Sequence, residues 1–244
     1  VLIDLHYLPG LAFFANVLAY ETVWLEACEH FQKQTYRNRC RILTAQGVDG
    51  LIIPVVGGRS AQKVPVRDAR IDPHVNQGQA HWRAIRTAYG KAPFFPDYAD
   101  ALQPLFVQKP VFLFDFNYQL LTTCLRLLGT SVNLQLTHQY DPVPNSGVLD
   151  RRGAILPRFE SGPAEGYRLI PYRQNFGEQF FSNLSVIDLL FCQGPEALSL
   201  LRRSVVAGPV PKFDTACRSS HSILKRIEQR ASPRRYQTNK TSLR

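Results

Sequence analysis

"IDLHYLPGLAFFANVLAYETVWL", residues Ile3 to Leu25, decides how the rest of the chain must be arranged. Ile3 to His6 reads as a buried strand. Pro9 follows at a position suited to the first turn of a helix, where a missing N–H goes unused. Gly10 to Tyr20 then carries Leu11, Ala12, Phe13, Phe14, Ala15, Val17 and Leu18 nearly all round, which predicts a helix buried between layers. Thr22 to Leu25 reads as a second strand. Strand, crossover helix and strand in so short a span give a β-α-β unit with parallel strands and a right-handed connection.

Outward from this unit the pattern changes. Cys40 to Thr44 and Leu51 to Val55 are strand-like, with turn signals at Gly47 and Asp49-Gly50, and predict a hairpin. "VPVRDARI", Val64 to Ile71, reads as another strand. Gln77 to Tyr89 has helical periodicity and is closed by Gly90. In that helix Trp82, Ile85 and Tyr89 share a face, which makes Trp82 and Tyr89 core residues before anything else. Pro93 to Pro96 breaks the chain ahead of helical segments at Tyr98 to Phe106 and Val111 to Leu128, the second closed by Gly129. Tyr140 to Gly166 is rich in Pro, Gly and Ser and predicts a loop excursion. A further helix starts near Asn183 or Ser185, with Asp188 in a capping-box position, and Gly194-Pro195 restarts it as far as Arg202. The expected class is α/β: a single globular domain, residues 1–202, with a mixed, mostly parallel sheet flanked by helices, followed by a basic tail, 203–244.

Composition bounds the function. A chain of 244 residues with 45% hydrophobic and 20% charged residues buries a core without disulfides or a structural metal. Its five cysteines are scattered and include no CxxC pair, so neither a zinc site nor a disulfide framework is indicated, and a reducing cytoplasm is expected. The apolar opening has no basic flank and is interrupted by Asp4 and His6, so no secretory signal is expected there. The numbering opens without methionine, so a few native residues are expected to be missing at the front. Val111 to Leu128 carries Asp115, Asn117 and Arg126 and reads as a buried helix, so no membrane span is expected. The net charge of +10 is uneven: residues 202–244 hold 11 Lys or Arg against Asp214 and Glu228, and the remainder is nearly neutral. A nucleic-acid partner is therefore ranked last, as a property of the tail alone.

Chemistry is expected where the first strand ends. His6 and Tyr7 stand at the carboxyl edge of the sheet, where ligands of open α/β sheets collect. There the N–H groups of Gly10, Leu11 and Ala12 favour an anion. His6 is a candidate general base; a histidine satisfied by a backbone carbonyl is the competing reading. "FQKQTYRNRCR", Phe31 to Arg41, if extended, alternates Gln32, Gln34, Tyr36 and Asn38 with Lys33, Arg37, Arg39 and Arg41, a density suited to gripping an oxyanion. His81 is a second candidate base. Asp72 would orient it or Arg37, or else merely close a turn. The candidate set is thus His6, His81 and Asp72 for catalysis, with Tyr7, Gly10, Gln32, Lys33, Tyr36, Arg37, Asn38 and Arg39 for an anionic small molecule. No metal site is expected, and the sequence names no cofactor. GxGxxG, P-loop, HExxH and GxSxG motifs are absent.

The chain resembles the WbqC-like proteins of bacteria through "IDLHYLPGLAFFANVL", "EHFQKQTYRNRCRI", "LIIPVVGG", "VRDARID", "HWRAIRTAYGKAPFFPDYADALQPL" and "NLSVIDLLFCQGPEAL", in order across residues 2 to about 201. That resemblance implies a place in O-antigen or other surface-polysaccharide synthesis, and an acyl or aminoacyl transfer onto a sugar. In the commoner opening of such proteins a proline, a tryptophan and a glycine stand where this chain has His6, Gly10 and Ala12. Tyr7, Leu8, Pro9 and Phe14 still match. The expected function is a transferase on an anionic nucleotide- or phosphate-bearing sugar-type substrate. The alternative is a non-catalytic protein that binds a metabolite or partner of an envelope pathway.

Overall fold

A computed structural model describes residues 1–57, 63–74, 76–157, 167–168 and 170–206. The described residues belong to one compact unit, and the basic tail beyond residue 206 lies outside them.

The opening stretch folds as its pattern requires. β1 (Leu2–Asp4), α1 (Leu11–Leu18) and β2 (Thr22–Glu26) make a parallel β-α-β unit in which Leu2 pairs with Trp24, Ile3 with Leu25 and Asp4 with Glu26. Seven of the eight α1 residues are buried, which is why its sequence is apolar on every side. β3 (Arg39–Thr44) and β4 (Gly47–Ile52) form the antiparallel hairpin, a two-stranded sheet of its own. Its turn is Ala45-Gln46, and Gly47 takes the left-handed conformation with φ +111°; Asp49-Gly50 lies inside β4.

Helices cover these sheets. α2 (Gln77–Tyr89) matches its predicted span and buries His81, Trp82, Ile85, Ala88 and Tyr89. Trp82 stacks on Phe95 and Phe106, with ring centroids 6.1 and 5.6 Å away, so it is core. α3 (Phe95–Val107) starts earlier than its periodicity suggests, because Pro96 occupies its first turn at no cost in hydrogen bonds. α4 (Leu113–Leu127) ends at Gly129, φ +71°, with the Gly129 and Thr130 amides donating to Arg126 and Leu125. β5 (Asn133–Leu136) completes the parallel sheet on the far side of β2, in the order β1-β2-β5. Its Asn-Leu-Gln-Leu sequence alternates polar and apolar, but four residues are too short a run to be read as a strand from sequence. α5 (Val186–Gln193) and α6 (Ala197–Ser204) close the fold.

Val64 to Ile71 is not a strand. Pro65 removes a ladder donor, Val66–Asp68 coils into one 3-10 turn, and only single bridges, His30 to Pro65, Val55 to Ile71 and Arg70 to Phe112, remain.

The turn from Tyr7 to Ala12 is clamped from two sides. The Tyr7 amide donates to Tyr36 and the Val186 amide to Pro9. Between them Leu8, fully buried, is held at φ +41°, a strained conformation for a leucine. The Leu11 amide donates to the Leu184 carbonyl and the Ala12 amide to Asn183 Oδ1, at 3.1 Å. A Cβ on Gly10 would stand 2.7 Å from that Oδ1, hence the glycine.

Asp188 does not act through a capping box. Fully buried on α5, its carboxylate accepts from Tyr89 Oη at 2.9 Å and Tyr172 Oη at 2.6 Å. Burial pushes its pKa up to about 6, against the two hydroxyls that lower it. A folded pKa above the unfolded one means that the folded state holds its proton more tightly. This contribution is complete below the unfolded value and lost as pH rises through 6. Wild type should therefore gain stability relative to Asp188→Asn by on the order of 3 kcal/mol as pH falls from 7.5 to 4, read from urea unfolding at each pH. A pH-independent difference would place the charge elsewhere.

Candidate functional site

The carboxyl edge of the parallel sheet is filled by the protein's own charges. Asp4 and Glu26, adjacent in register, end their strands side by side, each 1% exposed. Arg37, also 1% exposed, grips Glu29 with a bidentate fork, Nε to Oε1 and Nη2 to Oε2 at 2.7 Å each. Its Nη1 lies 3.0 Å from Asp4 Oδ2, within ion-pair range though not aligned as a hydrogen bond. The same Asp4 oxygen stands 3.1 Å from His6 Nε2, and the Gly153 amide donates to Oδ1. Burial alone would raise the Asp4 pKa, but the neighbouring His6 and Arg37 charges hold it well below the usual carboxylate range. Glu26 is served separately, by Arg152 Nη1 at 3.0 Å, the Thr137 hydroxyl and the Cys28 amide.

Arg37 is therefore an internal counter-ion. The segment before it is not extended: Gln34 sits at φ +59° and the Thr35 hydroxyl donates to the Gln32 carbonyl, so residues 32–38 turn and do not alternate. This separates the expected anion-gripping set. Gln32 and Lys33 line a pocket of about 370 Å3 with Glu29, His30, Phe31 and Tyr140. Tyr36 is buried with its ring 5.5 Å from that of His6. Asn38 is buried and donates to the Ile53 carbonyl, and Arg39 belongs to β3. At Gly10 the helix start is not open to an anion, since the Leu11 and Ala12 amides are taken by Leu184 and Asn183.

His81, Tyr7 and Asp72 belong to a different place. A cleft of about 720 Å3 opens between the end of β4, the 70–74 segment, the start of α2 and the α3–α4 connection. Its floor is apolar, with Ile53, Ile71, Phe106 and Phe116. Arg70, Asp72, His74, Gln77 and Lys109 supply polar groups. Backbone bonds fix this wall: Asp72 donates to Pro54, Ile71 to Val111 and Val56 to Arg70. The Asp72 carboxylate accepts the His74 amide at 2.9 Å, a local Asx turn, and no bond links it to Arg37 or His81 among the described residues.

Behind the cleft runs a buried relay. Tyr7 Oη lies 2.8 Å from His81 Nδ1, and the Gln77 amide nitrogen 2.9 Å from His81 Nε2. Burial lowers the His81 pKa to about 4, opposed weakly by the Ile52 carbonyl, so the ring is neutral at pH 7. A neutral ring has one N–H and one lone pair, and both nitrogens are engaged. His81 therefore orients Gln77, the member of the relay that faces the cleft. Of the cleft's polar groups, sequence reasoning selected Asp72 alone. Arg70, His74, Gln77 and Lys109 were missed because they converge from separate segments; Arg70 was visible only as part of "VRDARID".

The chain belongs to the WbqC-like protein family, whose model matches residues 5–159, a span that holds the cleft and all of the ionic edge but Asp4. It is also similar to the uncharacterized protein Rv1507c of Mycobacterium tuberculosis, with 29% identity over 230 residues, 82% of this chain and 96% of that one. No solved structure matches it. No helix among the described residues is long and apolar enough to cross a membrane.

Arg37→Met strands two buried carboxylates and should cost about 3–5 kcal/mol in urea unfolding or abolish soluble folding. Lys33→Ala, nearby but partly solvated, should stay within about 0.5 kcal/mol of wild type. Equal small effects from both would remove Arg37 from its central role.

Proposed function

We propose that this protein is a transferase that places an acyl or aminoacyl group on a phosphate-bearing, sugar-type substrate held in the 720 Å3 cleft. The observation that carries the reading is the convergence there of two cations, Arg70 and Lys109, with one carboxylate, Asp72, beside the buried Tyr7–His81–Gln77 relay. The volume suits a ligand of nucleotide-sugar size. Arg70 and Lys109 would hold the phosphate. Asp72 would accept the proton of the attacking hydroxyl or amine as its oxygen or nitrogen bonds the acyl carbon. The bond from that carbon to its carrier breaks, and the departing group takes the proton. Gln77, oriented by His81, would position the acceptor. His6 and Arg37 serve the framework in this reading, and the place in surface-polysaccharide synthesis rests on the family resemblance.

A second reading, a non-catalytic binding protein, is favoured by the closure of both histidines: His6 is 1% and His81 2% exposed. The two are separated by titrating nucleotide-sugars and screening acyl-CoA and aminoacyl donors for transfer by mass spectrometry. Arg70→Ala and Lys109→Ala should each weaken nucleotide-sugar binding about ten-fold, the loss of one charge-assisted contact. Asp72→Asn should lower kcat by about 10²- to 10⁴-fold with KM little changed. Binding without transfer by any donor, unchanged in Asp72→Asn, would establish the second reading.

A further inference from the structure

The cleft has a property that anion binding does not need. Among the described residues, large apolar side chains are strongly exposed at Ile52, Val56, Val107, Val111, Tyr140, Val143 and Val206. Of these, Val56 and Val111 line the cleft, together with the half-buried Val55 and Ile71. Their surface therefore continues the apolar floor outward to the mouth. Exposed apolar residues gathered at one concave site mark a binding surface, whereas single ones scattered over a protein carry no meaning. At the same mouth Arg70 and Lys109 are exposed cations, and Asp72 is the cleft's one carboxylate.

We infer that the ligand of this cleft is an amphiphilic anion: a phosphate or similar head at Arg70 and Lys109, joined to a hydrocarbon body that lies on Val55, Val56, Ile71 and Val111, above the buried Ile53, Phe106 and Phe116. This deepens the proposed function and rests on it for the anionic head. A ligand without a hydrocarbon part would leave these side chains wet. A hydrocarbon chain gains by covering them, in proportion to the area removed from water. The concavity favours a single small amphiphile over a bilayer, which would need a protruding apolar edge.

The test is calorimetric titration of the whole protein with ethyl, butyl and octyl phosphate, each kept below its micelle concentration, and with octanol as the headless control. Affinity should rise about three-fold or more per methylene where the chain is covered. Val111→Ser and Val56→Ser, at exposed positions the fold does not depend on, should flatten that rise. Arg70→Ala should weaken all three phosphates by a common factor. Ethyl and octyl phosphate binding equally well would overturn the inference and leave the phosphate-bearing substrate intact. Octanol binding as tightly as octyl phosphate would keep the apolar floor and remove the anionic head. No binding of any monomeric probe, with sedimentation on phosphatidylglycerol vesicles, would overturn it in favour of a membrane surface.

Discussion

A guanidinium shut away from water governs this structure. Arg37 is tolerated at 1% exposure only because Glu29 and Asp4 surround it, for an unpaired ion in such a place costs several kcal/mol. In satisfying it the chain joins the end of β1, the loop after β2 and the approach to β3. Asn117 adds α4 by donating to the Arg37 carbonyl at 2.7 Å, and the neighbouring Tyr36 carbonyl takes the Tyr7 amide. The sheet register makes a second guanidinium necessary. Asp4 and Glu26 stand opposite one another on neighbouring strands, where like charges repel. Arg152, far along the chain, neutralises Glu26 while Arg37 neutralises Asp4.

This arrangement relocates the chemistry. In an open parallel sheet the carboxyl edge is the ordinary place for a ligand, but here it is packed with side chains that satisfy one another. What remains open nearby is the narrower pocket by Gln32 and Lys33, and behind Tyr7 the larger cleft with its mixed walls. Tyr7 links the two regions. Its amide belongs to the ionic edge through Tyr36, and its hydroxyl to the relay that sets Gln77 against the cleft. The strain at Leu8 is therefore located where the backbone must serve both neighbours.

The sequence was most informative where one periodicity ran long enough to be unambiguous. The β-α-β unit, α2 and α4 follow from the spacing of apolar residues and from Pro9 and Gly129. It was least informative where structure depends on partners far apart. β5 is only four residues long. In the 64–71 segment, apolar alternation competed with Pro65, and the proline prevailed. The polar run from Gln32 to Arg39 drew attention for the right reason, its charge density, but sequence cannot tell an arginine that awaits a ligand from one already paired with Asp4. Asp72 and His81 were legible as titratable groups in suggestive settings. That they lie by one cleft, unbonded to each other, depends on packing among four segments, and no local pattern encodes it.

Asn183 gives the fold a temporal constraint. The cap it provides to Ala12 spans 171 residues, and the Leu184 and Ser185 backbone closes on the same helix start. On a ribosome β1 and α1 are made well before the groups that satisfy their turn, 171 residues further along for Ala12. Until then α1, the most apolar of the described helices, has an open end and an unsealed face. The β1-α1-β2 unit thus depends on residues 183–185, a high-contact-order arrangement in which it stays vulnerable to aggregation until that segment has been made.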